Sequence, residues 1–89
     1  MKAIISVLGG DRPGIIAEIS GCLYRHNLNI LDITQHVVDS YFTMTMVADI
    51  SQASLPFTEL VDALNSLGEK EGLVIHTMHE DIFHSMHRI

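Results

Sequence analysis

The segment "LGGDRPGIIAEIS", residues 8–20, carries the residue types in this chain best suited to holding a small charged ligand. Gly9, Gly10 and Gly14 lack a Cβ, so the backbone there can approach a ligand closely. Pro13 suits the first turn of a helix, where a missing amide hydrogen costs nothing. The amides of Gly14, Ile15 and Ile16 are then free donors at the positive end of that helix. Together these features favour an anion or a zwitterion. Asp11 has two readings: its carboxylate caps those amides, or it faces a ligand's ammonium. The first makes the loop a capped turn and nothing more. Nucleotide fingerprints fail in either case. A dinucleotide loop needs glycine at its third place, which counted from Gly9 is Asp11, and a P-loop needs Gly-Lys-Ser/Thr, whereas Gly14 precedes Ile15.

Other chemistry-bearing residues form weaker patterns. Six histidines stand at 26, 36, 76, 79, 84 and 87. His84 and His87 have helical spacing, while His76 and His79 on a strand point to opposite faces. His36 and His76 fall on opposite edges of the sheet inferred below, about 14 Å apart over three strand spacings, too far for one ion. No cysteine pair or His-Glu-x-x-His helix accompanies them, so no metal site and no cofactor are expected. Cys22 sits on an apolar helical stripe and reads as a core thiol. Asp11, Glu18 and Asp32 make no recognisable acid–base pair, so no catalytic residues and no enzyme activity are expected.

The elements that must position the loop follow from periodicity. "KAIISVL", residues 2–8, is a strand. Ile15, Ile16, Ile19, Cys22, Leu23 and His26 recur at helical spacing, predicting a helix over 13–26. Residues 30–38 and 41–50 read as two strands about an Asp39-Ser40 turn. A two-residue turn pairs Val37 with Phe42, Gln35 with Met44, Ile33 with Met46 and Leu31 with Ala48, giving one mostly apolar face and one mixed face. Phe57, Leu60, Val61, Leu64 and Leu67 mark a second helix ending at Gly68 or Gly72. "LVIHTMH", residues 73–79, is a fourth strand, and Ile82, Phe83, Met86 and Ile89 suggest a short closing helix. The order β-α-β-β-α-β predicts an α+β, ferredoxin-like sandwich, in which an antiparallel four-stranded sheet carries two helices on one face.

Composition bounds the partners. Eighty-nine residues make a single domain, 1–89, and 47% apolar with 18% charged residues describes a folded soluble chain. A formal charge of −6 with five Lys and Arg argues against direct nucleic-acid binding and against anionic membranes. No apolar run reaches the ~18 residues of a membrane span, and no signal-peptide core is present. With its single cysteine, the chain reads as cytoplasmic.

"DRPGIIAEIS" after a strand, followed by "NLNILDITQHVVDSYFTMTMVADI", resembles the ACT domain over nearly the whole chain. It is most similar to small stand-alone ACT proteins near the domains of the glycine cleavage system repressor, whose chains end in a similar "IF..M..I" tail. The resemblance implies a non-catalytic regulatory module, commonly a homodimer or higher oligomer. An amino acid or related metabolite would bind between the first loop of one copy and the start of strand two in another. Carried over, the binding positions are Gly9, Asp11, Pro13, Gly14 and Ile15 on the loop, with Asn29 and Ile30 on the strand. Asn29 fits, since its amide donates to a carboxylate and accepts from an ammonium. Output would pass through a separate regulatory protein partner. Many ACT domains instead act as ligand-free assembly modules, which is the alternative reading.

Overall fold

Alternation sets the first strand. In β1 (Lys2–Gly10), Ala3, Ile5 and Val7 are buried while Ser6 and Leu8 are exposed. Helix α1 (Ile15–Arg25), strands β2 (Asn29–Val38) and β3 (Tyr41–Asp49), helix α2 (Phe57–Glu71) and strand β4 (Leu73–His79) follow. The computed structural model describes residues 1–82, of which 80–82 open a short C-terminal helix. Phe83, His84, Met86, His87 and Ile89, which the spacing also assigns to that helix, lie outside the described residues.

All neighbouring strands pair antiparallel in the order β2-β3-β1-β4. This is the expected ferredoxin-like sandwich. Both helices cover one face, where Ile15, Ile19 and Leu23 of α1 and Leu60 and Leu64 of α2 meet Ile5, Met46 and Ile75 of the sheet. Gly68 lets α2 approach β4: a Cβ there would stand 2.7 Å from the Leu73 carbonyl oxygen. The helix therefore runs through Gly68 and ends at Gly72.

The end of α1 is also fixed locally. Asn27 adopts φ 63°, and the Leu28 and Asn27 amides donate to the Leu23 and Tyr24 carbonyls at 2.9 and 3.0 Å. These are the two bonds of a left-handed helix stop, with asparagine in the place glycine usually takes. The Asn27 side chain donates onward to the Gln52 carbonyl at 2.8 Å, tying the stop to the loop before α2.

Two expectations need correction. Helix α1 starts at Ile15 rather than at 13, because Gly14 takes φ 90° and cannot belong to a right-handed helix. Pro13 therefore precedes the N-cap instead of occupying the first turn. The hairpin register holds from Val37–Phe42 to Ile33–Met46, but Ile30, not Leu31, stands opposite Ala48. Leu31 is the extra residue of a β-bulge. The helix-side apolar face is also only half buried. Phe42, Met44, Met46 and Ala48 are in the core, whereas Ile33 and Val37 remain 39% and 55% exposed. Their strand is the edge, so core-like side chains lie where the helices do not cover them.

Candidate ligand-binding site

The loop after β1 is held at both ends. The Asp11 amide donates to the Ser40 carbonyl at 2.9 Å, fastening it to the β2–β3 turn. The Arg12 guanidinium donates to Glu18 Oε2 at 3.1 Å on α1 and to Glu71 Oε1 at 2.8 Å on α2. It also donates to the Pro13 carbonyl at 3.1 Å. One side chain thus joins the loop to both helices. Its hydrogen bond, aided by its charge, keeps the Glu18 carboxyl below the ordinary carboxylate value.

The start of α1 is uncapped. Gly14 is the N-cap residue, no side chain bonds the cap, and the first helical bond runs from the Glu18 amide to the Gly14 carbonyl at 3.0 Å. The amides of Ile15, Ile16 and Ala17 consequently have no intrahelical acceptor. Of the two readings of Asp11, the helix cap is not made, and among the described residues its carboxylate has no hydrogen-bond donor. The first turn opens on a groove of about 700 Å³. Asp11, Arg12 and the α1 turn form one wall, with Gln35, Val37 and Phe42 of the hairpin opposite. The volume lies in the range of small-molecule sites. Donors at a helix's positive end beside an open carboxylate match the two charged ends of an amino acid.

The expected site residues do not all converge. Asp11, Gly14 and Ile15 line the groove, with the Ile15 side chain in the core, so that position offers a ligand its backbone. Pro13 is exposed on the adjoining turn. Gly9 adjoins β4 instead of the groove, a Cβ there meeting the end of the Leu73 side chain at 2.5 Å. Asn29 and Ile30 lie at the far end of β2, opposite Asp49 and Ala48, while the loop adjoins its Val38 end. Nine residues of strand separate the two ends by about 30 Å. A single copy does not bring loop and Asn29 together. The hairpin wall of Gln35, Val37 and Phe42 was not foreseen. Its signal was the pairing of β1 with β3, which sets Gly10 against Tyr41 and brings the loop to the hairpin tip.

Known proteins share this architecture. The family model for the ACT domain matches residues 2–78, from β1 into β4. This chain belongs to the ACT domain family. Among relatives, a UPF0237 protein of Clostridium perfringens is 46% identical over 89 residues, covering 100% of both chains. The structure of an ACT domain protein from Streptococcus pneumoniae aligns with TM-score 0.83 and 41% identity over 93% of each chain. That of a candidate glycine cleavage system transcriptional repressor aligns with TM-score 0.76 and 26% identity, over 85% of this chain and 43% of the other. ACT domains are typically regulatory modules that bind small molecules and commonly oligomerise. The matched span contains the loop, the uncapped start of α1 and the hairpin. No helix among the described residues is long and apolar enough to cross a membrane.

Proposed function

We propose that this chain is a non-catalytic, amino-acid-sensing ACT domain protein of the cytoplasm that acts through oligomerisation or a regulatory partner protein. Its ligand, an amino acid or related metabolite, sits at the mouth of α1. The carboxylate end takes the free amides of Ile15 and Ile16, and the ammonium end takes Asp11. The observation that carries this reading is the uncapped start of α1 beside a carboxylate unpaired among the described residues. Asn29 and Ile30 come from a second copy. An antiparallel pairing of two β2 edges is two-fold symmetric, so the start of one strand meets the end of the other, next to the loop. The bare apolar side chains Leu31, Ile33 and Val37 would then be covered.

The test is thermal denaturation against the common amino acids at millimolar concentration. A ligand that binds only the folded state at a hundredfold excess over its Kd contributes about 2.7 kcal/mol. For a domain of this size that raises Tm by on the order of 10 °C. No shift with any amino acid, together with an intact oligomer, would favour the ligand-free assembly module. The apolar edge of β2 is the observation behind that second reading.

A further inference from the structure

Two charged side chains, Asp11 and Arg12, line the groove beside α1. His36 borders it too, but strand alternation turns that ring to the helix-free face, beside Thr43. Arg12 has the right chemistry for a ligand's carboxylate, yet its hydrogens are already committed. A guanidinium carries four hydrogens on its two terminal nitrogens and one on Nε. Nη1 of Arg12 donates to the Pro13 carbonyl at 3.1 Å and to Glu18 Oε1 at 3.4 Å. Nη2 donates to Glu18 Oε2 at 3.1 Å and to Glu71 Oε1 at 2.8 Å. Only the Nε hydrogen is left over, and two carboxylates stand directly against the charge. The rest of the wall is apolar at Ile16, Ala17, Val37 and Phe42, with Gln35 as an uncharged polar group.

We infer that the groove selects an amino acid with an uncharged, chiefly aliphatic side chain, and that Glu71 sets this selectivity from α2 by holding Arg12. This rests on the reading of the groove as an amino-acid site. With Asp11 taken by the ligand's backbone ammonium, a side-chain ammonium meets no second carboxylate and is repelled by Arg12. A side-chain carboxylate meets a guanidinium with its terminal hydrogens committed, and Asp11 close by. Either charge would lose water without gaining a partner, which is costly. An aliphatic side chain has no such cost, and it gains by covering Val37, which is 55% exposed. Glu71 does not line this groove. It lies in the cleft between the helices with Glu18, Leu67 and Lys70, so it acts on the ligand only through Arg12. That makes it a positioning residue whose effect falls on the choice of ligand.

Calorimetric titration of the full chain with leucine, valine and methionine, against glutamate and lysine, tests this. An aliphatic amino acid should bind, and glutamate and lysine should bind about tenfold more weakly or worse, the worth of one charge-assisted hydrogen bond. Glu71→Ala releases an Nη2 hydrogen of Arg12. It should tighten glutamate binding by about tenfold and leave the aliphatic ligand unchanged. A merely structural Glu71 would instead move every ligand together. Ala17→Lys, at an exposed position on the groove wall, supplies a free ammonium with the Arg12 contacts intact. It should admit glutamate in the same way, and it decides the matter should Glu71→Ala fail to fold. Equal affinities for aliphatic and charged ligands overturn the selectivity and leave the amino-acid site standing, as does glutamate binding unmoved by both variants. Silence with these five ligands while another amino acid binds likewise overturns the selectivity alone. Silence with every common amino acid overturns the site beneath it.

Discussion

At the scale of single residues, Gly14 sets the conformation of the loop, and the proposed function gives Asp11 the recognition. Gly14 sits at φ 90°, and a Cβ added there would come no closer than 3.8 Å to Glu18 Oε1. Crowding is therefore not its constraint; handedness is. Gly14→Ala should destabilise the fold by about 1–2 kcal/mol in denaturant unfolding, through left-handed backbone strain alone. An unchanged unfolding midpoint would mean the turn relaxes to another conformation. Asp11 has the opposite character, being exposed with a carboxylate that finds no side-chain partner among the described residues. Asp11→Asn should leave the unfolding midpoint within about 0.5 kcal/mol. It should weaken amino-acid binding by roughly tenfold, the worth of one charge-assisted hydrogen bond. Cys22 stands apart from both. Burial pushes its thiol above the ordinary value, so it should react with a thiol reagent only at the rate the protein unfolds.

At the scale of elements, the two helices are coupled through one loop side chain, and the coupling titrates. Arg12 holds the Glu18 carboxyl below its ordinary 4.5, and the Ser51 amide, 2.9 Å from Asp49 Oδ1, holds the Asp49 carboxyl below its ordinary 3.8. Both depressions mean that the unfolded chain binds protons at higher pH than the folded one. The associated stability is complete above the ordinary values and drains away as pH falls from about 4.5 through the lower folded values. Melting curves from about pH 7 to about pH 3 should decline in that window, and Glu18→Gln should make the decline shallower. An identical slope in the variant would remove Glu18 from the account. How much of these elements was legible beforehand follows the range of the forces that set them. The hairpin register from Val37–Phe42 to Ile33–Met46 is written in strict alternation, and α2 in a five-residue apolar stripe. The start of α1 departs from the apolar periodicity because one backbone angle at Gly14 outweighs the preference of Pro13 for a first turn. The exposure of Ile33 and Val37 was invisible for a different reason. Alternation reports which side chains share a face, while the cover over that face depends on where distant helices dock.

At the scale of the whole molecule, the proposed site is split between two copies. The loop at the α1 mouth and Asn29 stand at opposite ends of β2, about 30 Å apart by strand rise, so one ligand cannot touch both in one chain. The loop is legible from its own residue types, whereas Asn29 and Ile30 enter only through the resemblance, since pairing between copies leaves no local periodicity. The separation also has a thermodynamic consequence. A ligand held by two copies binds the pair and not the single chain, so ligand binding and pairing must strengthen each other by the same factor. Calorimetric titration of one amino acid at successive protein dilutions should therefore give an apparent affinity that falls as the protein drops below its own dissociation constant. Adding the ligand should, in turn, shift sedimentation toward the paired species at those dilutions. Asn29→Ala should weaken both effects, because on the proposed pairing the missing amide faces the loop from the second copy. An affinity independent of protein concentration, unaltered in Asn29→Ala, would confine the ligand to the groove between Asp11 and Val37 of a single chain, leaving the β2 edge to assembly alone.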